Sequence, residues 1–346
     1  MRIGLISPVW FPVPPTGYGG IEWIVWLLGD GLVDAGHDVT LFASGDSRTK
    51  AELVSVYDIA PSELIGTSIV ELHHCLACYE RAGDFDVIND HSGLPAAALG
   101  GAVATPVLHT VHGPLDSLGG VVYEQIARLA PQVGLISISL NQRKPKPDLP
   151  WVANCPNALN LALYPFDDAR GDYLLFLGRM SPDKGAHRAI EVALAAGLPL
   201  KLAGKKREPA EEAFFAEHVA PHLSGDVEYL GEVTHEEKVA LLQNARATLF
   251  PIDWEEPFGL VMIESMACGT PVIATRAGAV PEVIEHGVSG IIVDDYRDMV
   301  AALAEADRLE PAALRCFAEE HYSPERMVAD YVAAYSHAIQ RQEATA

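Results

Sequence analysis

The sequence predicts an α/β protein of two domains, each a parallel sheet covered on both faces by helices. Short apolar runs alternate with longer helical patterns from the first residue onward, the order expected of parallel strands joined by crossover helices. At 346 residues the chain exceeds what one hydrophobic core usually organises, so two compact units of roughly 150 residues each are the natural division. A single large α/β barrel is the alternative that length alone leaves open. The hydrophobic fraction of 49%, with 24 prolines and 29 glycines scattered along the chain, describes a globular protein with many short loops.

In the first half the strand candidates are residues 2–7, 39–43, 86–89, 107–111 and 134–138. The segment 20–35 reads as the first crossover helix, because Ile21, Ile24, Val25, Leu28 and Leu32 fall on one face. From 151 to 172 the texture changes to Pro156, Asn157, Pro165 and a small charged cluster, as in an interdomain connection. A second series follows, with strands at 173–177, 200–202, 227–230, 247–251, 271–274 and 291–293. Helices fill 184–196, 235–244, 258–267, 280–286 and 299–309. Residues 324–340 form a terminal helix striped by Met327, Tyr331, Ala334 and Ile339. The expected domains are 1–157 and 158–323, with the terminal helix, 324–346, packing back on the first.

With 47 acidic against 24 basic side chains the formal net charge is -23, and the field of such a chain repels nucleic acid and anionic membrane surfaces. A polyanionic ligand therefore needs a local basic pocket. No apolar run reaches about 18 residues and the start lacks a basic n-region, which leads us to expect a cytoplasmic protein with no nucleic-acid partner and no stable membrane association. Five cysteines, an odd count in a chain too large to need staples, fit a reducing compartment. His73, His74, Cys75 and Cys78 invite a metal reading, but they crowd about one helical turn with no distant second pair, which favours a helix with buried thiols.

Ligands of open parallel sheets collect beyond the carboxyl ends of the strands, so loops that follow strands carry the chemistry. The first runs from Pro12 through Gly17, Tyr18, Gly19 and Gly20 into a helix bearing Glu22. Its glycines let backbone approach a ligand and its helix start offers N–H groups to an anion, although the spacing is not the G-x-G-x-x-G fingerprint. An ordinary glycine-rich turn is the competing reading. The second loop, Gly178 to Gly185, places Arg179 and Lys184 at the mouth of the second domain, where fixed cations could stabilise charge growing on a departing diphosphate. In the third, an acidic loop reaches Glu256 and a helix then carries Glu264 within an apolar stretch, where an ionised carboxylate needs hydrogen-bond donors such as ribose hydroxyls. The fourth ends in His112, for which a satisfied strand-end histidine is the competing reading.

Gly178-Arg179 with Lys184, then Glu256-Pro257-Phe258-Gly259-Leu260 and Glu264-Ser265-Met266-Ala267-Cys268-Gly269-Thr270-Pro271, resembles the retaining glycosyltransferases of family 4, the group of glycogen synthases and mannosyltransferases. Gly19-Gly20, Glu22, Pro156-Asn157, Gly278, Pro281-Glu282, Gly287 and Gly290 extend the likeness over most of the chain. It implies the GT-B architecture, two Rossmann-like domains whose parallel sheets face an interdomain cleft, and a nucleoside diphosphate sugar, UDP- or GDP-linked, as donor. Arg179 and Lys184 would hold its pyrophosphate, Glu264 its ribose and Glu256 the transferred sugar. Backbone at Phe258, Gly259 and Leu260, with Gly19, Gly20, Gly178 and Val233, would complete the donor site, and His112 would stand beside the reacting sugar. The sequence departs from the family at Ala158, Leu159 and Asn160, where Gly, Val and Asp are usual, and between Gly113 and Val133, which is short.

The expected reaction is transfer of a hexose to an acceptor hydroxyl, with entry from the leaving-group side through an oxocarbenium-like sugar. No cofactor is expected, and no metal is required where Arg179 and Lys184 supply fixed charge. Asp84 and Asp86, like Asp294 and Asp295, read as turn residues rather than a divalent-ion site. Tyr18, His91 and the segment after His112 would select the acceptor, a small metabolite or oligosaccharide. A phosphorylase or epimerase on the same architecture and a non-catalytic nucleotide-sugar binding subunit are the competing readings.

Overall fold

The computed structural model describes residues 1–17 and 19–344. Tyr18, expected to act in acceptor selection, lies outside them. The chain forms two compact units, Met1–Leu159 joined by the segment from Pro324 onward, and Asn160–Ser323.

The first unit is a seven-stranded sheet of β1 (Arg2–Ile6), β2 (Asp38–Phe42), β3 (Glu52–Val54), β4 (Val87–Asp90), β5 (Val107–Thr110), β6 (Gly134–Ser137) and β7 (Trp151–Asn154). The spatial order is β3-β2-β1-β4-β5-β6-β7 and every pairing is parallel. Burial on both faces explains its central strands: Ile3, Leu5, Ile6, Val87 and Ile88 are wholly buried. Helix Gly20–Asp34 covers one face with Ile24, Val25, Leu28 and Leu32. Helix Pro324–Glu343 packs here too, burying Met327, Tyr331 and Tyr335 completely. Its Val328 comes so close to Gly31 that a β-carbon there would stand 2.6 Å from Val328 Cγ2.

The second unit is a six-stranded sheet of β8 (Tyr173–Leu177), β9 (Leu200–Ala203), β10 (Val227–Tyr229), β11 (Ala245–Phe250), β12 (Val272–Thr275) and β13 (Gly290–Val293). Its order is β10-β9-β8-β11-β12-β13, again all parallel. One apolar cluster joins Leu174, Phe176, Ile190, Leu202, Leu249, Ile273 and Met299 from strands and helices.

The eleven expected strands are present, and two more appear at the rims of the first sheet. β3 has three residues, none fully buried, and β7 is half-buried throughout, so neither shows the continuous apolar run of a central strand. β7 corrects the reading of residues 151–172 as connection from their first residue: the connecting texture begins only after Asn154. Helices Leu118–Leu129, Pro209–His218 and Pro311–His321 were also not anticipated. The helix expected from 258 begins at Leu260, because Gly259 at φ 85° caps it in the left-handed region.

In each sheet the strand order reverses once, between β1 and β4 and between β8 and β11. These switch points are where an open parallel sheet leaves a crevice at its carboxyl edge.

Replacing Tyr331 by Ala removes a fully buried ring from the first unit. A loss of about 3–5 kcal/mol is expected, read as an earlier urea unfolding transition; a shift worth less than about 1 kcal/mol would mean that the terminal helix adds little to this core.

Candidate active site

Loops from β8, β9, β11 and β12, four adjacent strands, meet at the carboxyl edge of the second unit. The β8 loop carries Gly178, Arg179 and Lys184 and ends at Gly185, φ 83°, where a β-carbon would stand 2.3 Å from the Pro251 carbonyl. That close approach ties it to the β11 loop, as do the Asp253 amide donating to the Asp183 carbonyl at 2.9 Å and Arg188 donating to the Pro251 carbonyl at 3.0 Å. On the far side Gly278, φ 53°, leaves no room for a β-carbon against the Glu256 backbone, and the Ala279 amide donates to the Glu256 carbonyl at 2.9 Å. Glu256 is thus held from both neighbouring loops.

The result is a direct ion pair between Lys184 Nζ and Glu256 Oε2, with the ammonium also 4.5 Å from the centre of the Trp254 ring. Glu256 is 7% exposed. Arg179, partly exposed, donates to Asp183 at 3.2 Å and lies 3.9 Å from Glu211. Lys205, on the β9 loop, lies 3.7 Å from the same Glu211 oxygen and 3.2 Å from Glu208. Gly204 permits this approach, since a β-carbon there would fall 1.8 Å from the Gly178 carbonyl. Lys205 and Glu211 were missed in the sequence, where the signal was Lys205-Lys206-Arg207 directly after a strand.

Glu264 is buried and receives two protein donors on one oxygen: Tyr164 OH at 2.7 Å and Lys238 Nζ at 2.6 Å, both onto Oε1. These donors answer the cost of burying a carboxylate, for which the sequence offered ribose hydroxyls, and Oε2 has no hydrogen-bond partner among the described residues. Phe258 packs edge-on to Tyr322, and the amides of Phe258, Gly259 and Leu260 stand at the helix start, outside its internal ladder. Val233 is half-buried on the β10 loop, whose Gly231 carbonyl accepts from the Gly204 amide at 2.8 Å.

In the first unit the adjacent strands β1, β4 and β5 deliver Gly19 and Gly20, His91, and His112 to one edge. Gly19, φ 145°, has no room for a side chain: a β-carbon would stand 2.9 Å from both Glu22 Oε2 and Pro15. Burial pushes the Glu22 carboxyl from an ordinary 4.5 up to about 7, against the pull of its own backbone amide. His112 Nε2 lies 2.9 Å from His91 Nδ1, and burial, followed by the neighbouring His109, pushes the His112 pKa down to about 3. Both nitrogens of buried His91 are engaged, with Nε2 2.8 Å from Asn89 Oδ1, so neither ring nitrogen is left to meet an acceptor.

The remaining candidates are occupied structurally. Cys75 and Cys78 are buried thiols, His73 bonds Tyr57 and His74 bonds the Ser7 carbonyl. Asp84 pairs with Arg81, Asp86 with Arg2, Asp294 with Arg276 and Asp295 with Arg297. In the basic run near β7, Arg143 donates to Ser137 and lies over the Trp151 ring, exposed Lys144 donates to Asn141, and Lys146 pairs with Glu124. Among the described residues no helix is long and apolar enough to cross a membrane.

The model of the family described as Glycosyl transferases group 1 matches residues 167–315, and that of Glycosyltransferase Family 4 matches residues 18–148. A phosphatidyl-myo-inositol mannosyltransferase of Mycolicibacterium smegmatis is 30% identical over 88% of this chain and 84% of its own. A glycogen synthase of Mycobacterium tuberculosis is 27% identical over 90% and 87%. Among solved structures, AviGT4, a glycosyltransferase involved in avilamycin A biosynthesis, superposes with a TM-score of 0.72 at 26% identity, covering 99% of this chain and 98% of that one.

A carboxyl whose folded pKa lies above its unfolded one stabilises the fold fully below the unfolded value and loses that contribution as pH rises through the folded value. Between pH 4.5 and 7, Glu22 should therefore cost the wild type about 3 kcal/mol relative to Glu22→Gln. Urea unfolding across that range would show the two curves diverging with pH; parallel curves would mean that Glu22 is solvated.

Proposed function

The chain belongs to glycosyltransferase family 4 and is a glycosyltransferase of two-domain GT-B architecture, and from that premise we propose that it moves a hexose from a nucleoside diphosphate, UDP or GDP, to an acceptor hydroxyl with retention of anomeric configuration. The observation that carries this reading is the convergence at one switch point of two cations, Arg179 and Lys184, with a carboxylate, Glu256, that contacts Lys184 directly. In a protein of net charge -23, cations at a strand-end crevice that are already paired with carboxylates can take an anionic ligand by exchanging partners.

In this scheme Arg179 and Lys184 bind the diphosphate, with Lys205 close enough to share its charge. The free oxygen of Glu264 accepts from ribose while Tyr164 and Lys238 hold the other. When the diphosphate draws Lys184 away, Glu256 is released to accept hydrogen bonds from the sugar. The bond from the anomeric carbon to the diphosphate oxygen breaks with its electron pair leaving on that oxygen. The acceptor oxygen then bonds to the same face of the oxocarbenium-like carbon, and its proton passes to the departing phosphate. Fixed cations stabilise the leaving group as its charge grows, and no bound metal is invoked for that task.

A small hydroxylated acceptor, a metabolite or oligosaccharide, suits the acidic chain, whose field disfavours anionic surfaces.

Calorimetric titration with UDP, GDP, ADP, dTDP and their sugar conjugates, in the presence of a chelator, tests the donor site. Saturable binding to one diphosphate is expected. Arg179→Ala should weaken it about tenfold or more through loss of a charge-assisted contact, and Glu256→Ala should cripple transfer with the fold intact. No binding to any of the four, or unchanged affinity in Arg179→Ala, would count against the site.

A further inference from the structure

A chain of hydrogen bonds runs behind His112 and fixes which of its nitrogens carries the proton. Asn89 Nδ2 donates to the Leu108 carbonyl at 3.1 Å and to Thr110 Oγ1 at 3.2 Å. A carbonyl can only accept, so the amide is oriented with its nitrogen toward β5 and its oxygen toward its other partners. That oxygen accepts from the Tyr335 hydroxyl of helix Pro324–Glu343 at 2.6 Å and lies 2.8 Å from His91 Nε2. His91 Nε2 therefore carries a proton. A neutral imidazole has a single N–H, which leaves His91 Nδ1 as an acceptor, and the atom facing it at 2.9 Å is His112 Nε2.

Burial, and then the nearby His112 and His109, keep the His91 pKa well below its ordinary value, so the neutral ring is the relevant form. The Tyr331 ring lies 5.7 Å from that of His91, giving the terminal helix a second contact on the relay. His112 Nε2 must then hold the proton, and His112 Nδ1 keeps its lone pair. No hydrogen bond to that Nδ1 is made among the described residues.

We infer that His91 is a positioning residue that sets the tautomer of His112, so that the atom His112 offers to a bound sugar is a hydrogen-bond acceptor. The inference rests on the reading, implied by the likeness to family 4, that His112 faces a reacting sugar. Its consequence is selectivity: Nδ1 accepts from a sugar hydroxyl and does not protonate the leaving group. A donor lacking that hydroxyl leaves the nitrogen unpaired and is disfavoured. The Asn89–Tyr335 bond makes the terminal helix part of this device, 246 residues away in sequence.

Long-range proton–nitrogen correlation NMR on the full chain with labelled histidine, without ligand, tests it. The His112 signals are identified by their absence in His112→Gln. The expected wild-type pattern is a proton on Nε2 and a bare Nδ1. His91→Phe removes the acceptor and should give a mixture of tautomers, whereas His91→Gln, whose amide can donate to Asn89 and accept from His112, should keep the wild-type pattern. A proton on His112 Nδ1 in the wild type, or an unchanged His112 signal in His91→Phe, would overturn the inference. Should His91→Phe fail to fold, the wild-type and His91→Gln spectra still decide. In turnover with UDP-glucose or GDP-mannose, whichever is bound, His91→Phe should lower kcat about tenfold with little change in KM, and His91→Gln should recover it. Full turnover in His112→Ala would remove His112 from the sugar site, while the NMR result would still decide whether His91 sets its tautomer.

Discussion

Parallelism is the constraint on which the rest of this molecule depends. Every strand pairing in both sheets is parallel, so each connection crosses a face of the sheet and the central strands are buried on both sides. Chemistry has little room on such faces and collects at the strand ends. That is why Arg179, Lys184, Glu256, His91 and His112 all follow strands, and why the switch points β1/β4 and β8/β11 gather them. Polar residues buried within the strands find neighbours: Asn89 has β5 and the terminal helix, Asp90 has Ser92 and His109, and Thr248 has Ser265.

Electrostatics at the second switch point follows from the acidity of the chain. Each cation there already has a carboxylate: Lys184 has Glu256, Arg179 has Asp183 and Glu211, and Lys205 has Glu208 and Glu211. The cations are held in place and partly desolvated, so a ligand anion meets preorganised charge instead of mobile surface lysines. On the proposed reading a diphosphate would exchange with these carboxylates rather than enter an empty basic pocket. Glu211 expresses that balance most sharply, with one oxygen spent on capping its own helix and the other buried without a hydrogen bond, near two cations.

Much of this was legible in the sequence because doubly buried strands write continuous apolar runs. β1, β8 and β11 were readable in that way, and the helix of Glu264 was readable from its closing Gly269 and Pro271. Edge strands β3 and β7, solvated on one side, left no such run. The resemblance to family 4 pointed to Lys184 and Glu256 as members of one site, but their direct pairing depends on Gly185 and Gly278, whose role is visible only as the space a β-carbon would fill. Lys205, Lys238, Tyr164 and the His91 relay were hidden for another reason: each acts through a partner distant in sequence, such as Asn89 and Tyr335, and a single sequence records no such pairing.

The central claim is that a donor diphosphate takes Lys184 from Glu256. Its most direct measurement is the affinity of UDP and GDP for the wild type, Glu256→Gln and Lys184→Met, with a chelator present. Exchange at this ion pair predicts that Glu256→Gln binds the free diphosphate several-fold more tightly, by removing the competing carboxylate, and that Lys184→Met binds it more weakly. Weaker binding by Glu256→Gln together with wild-type affinity in Lys184→Met would contradict it, and would place the diphosphate elsewhere on the chain.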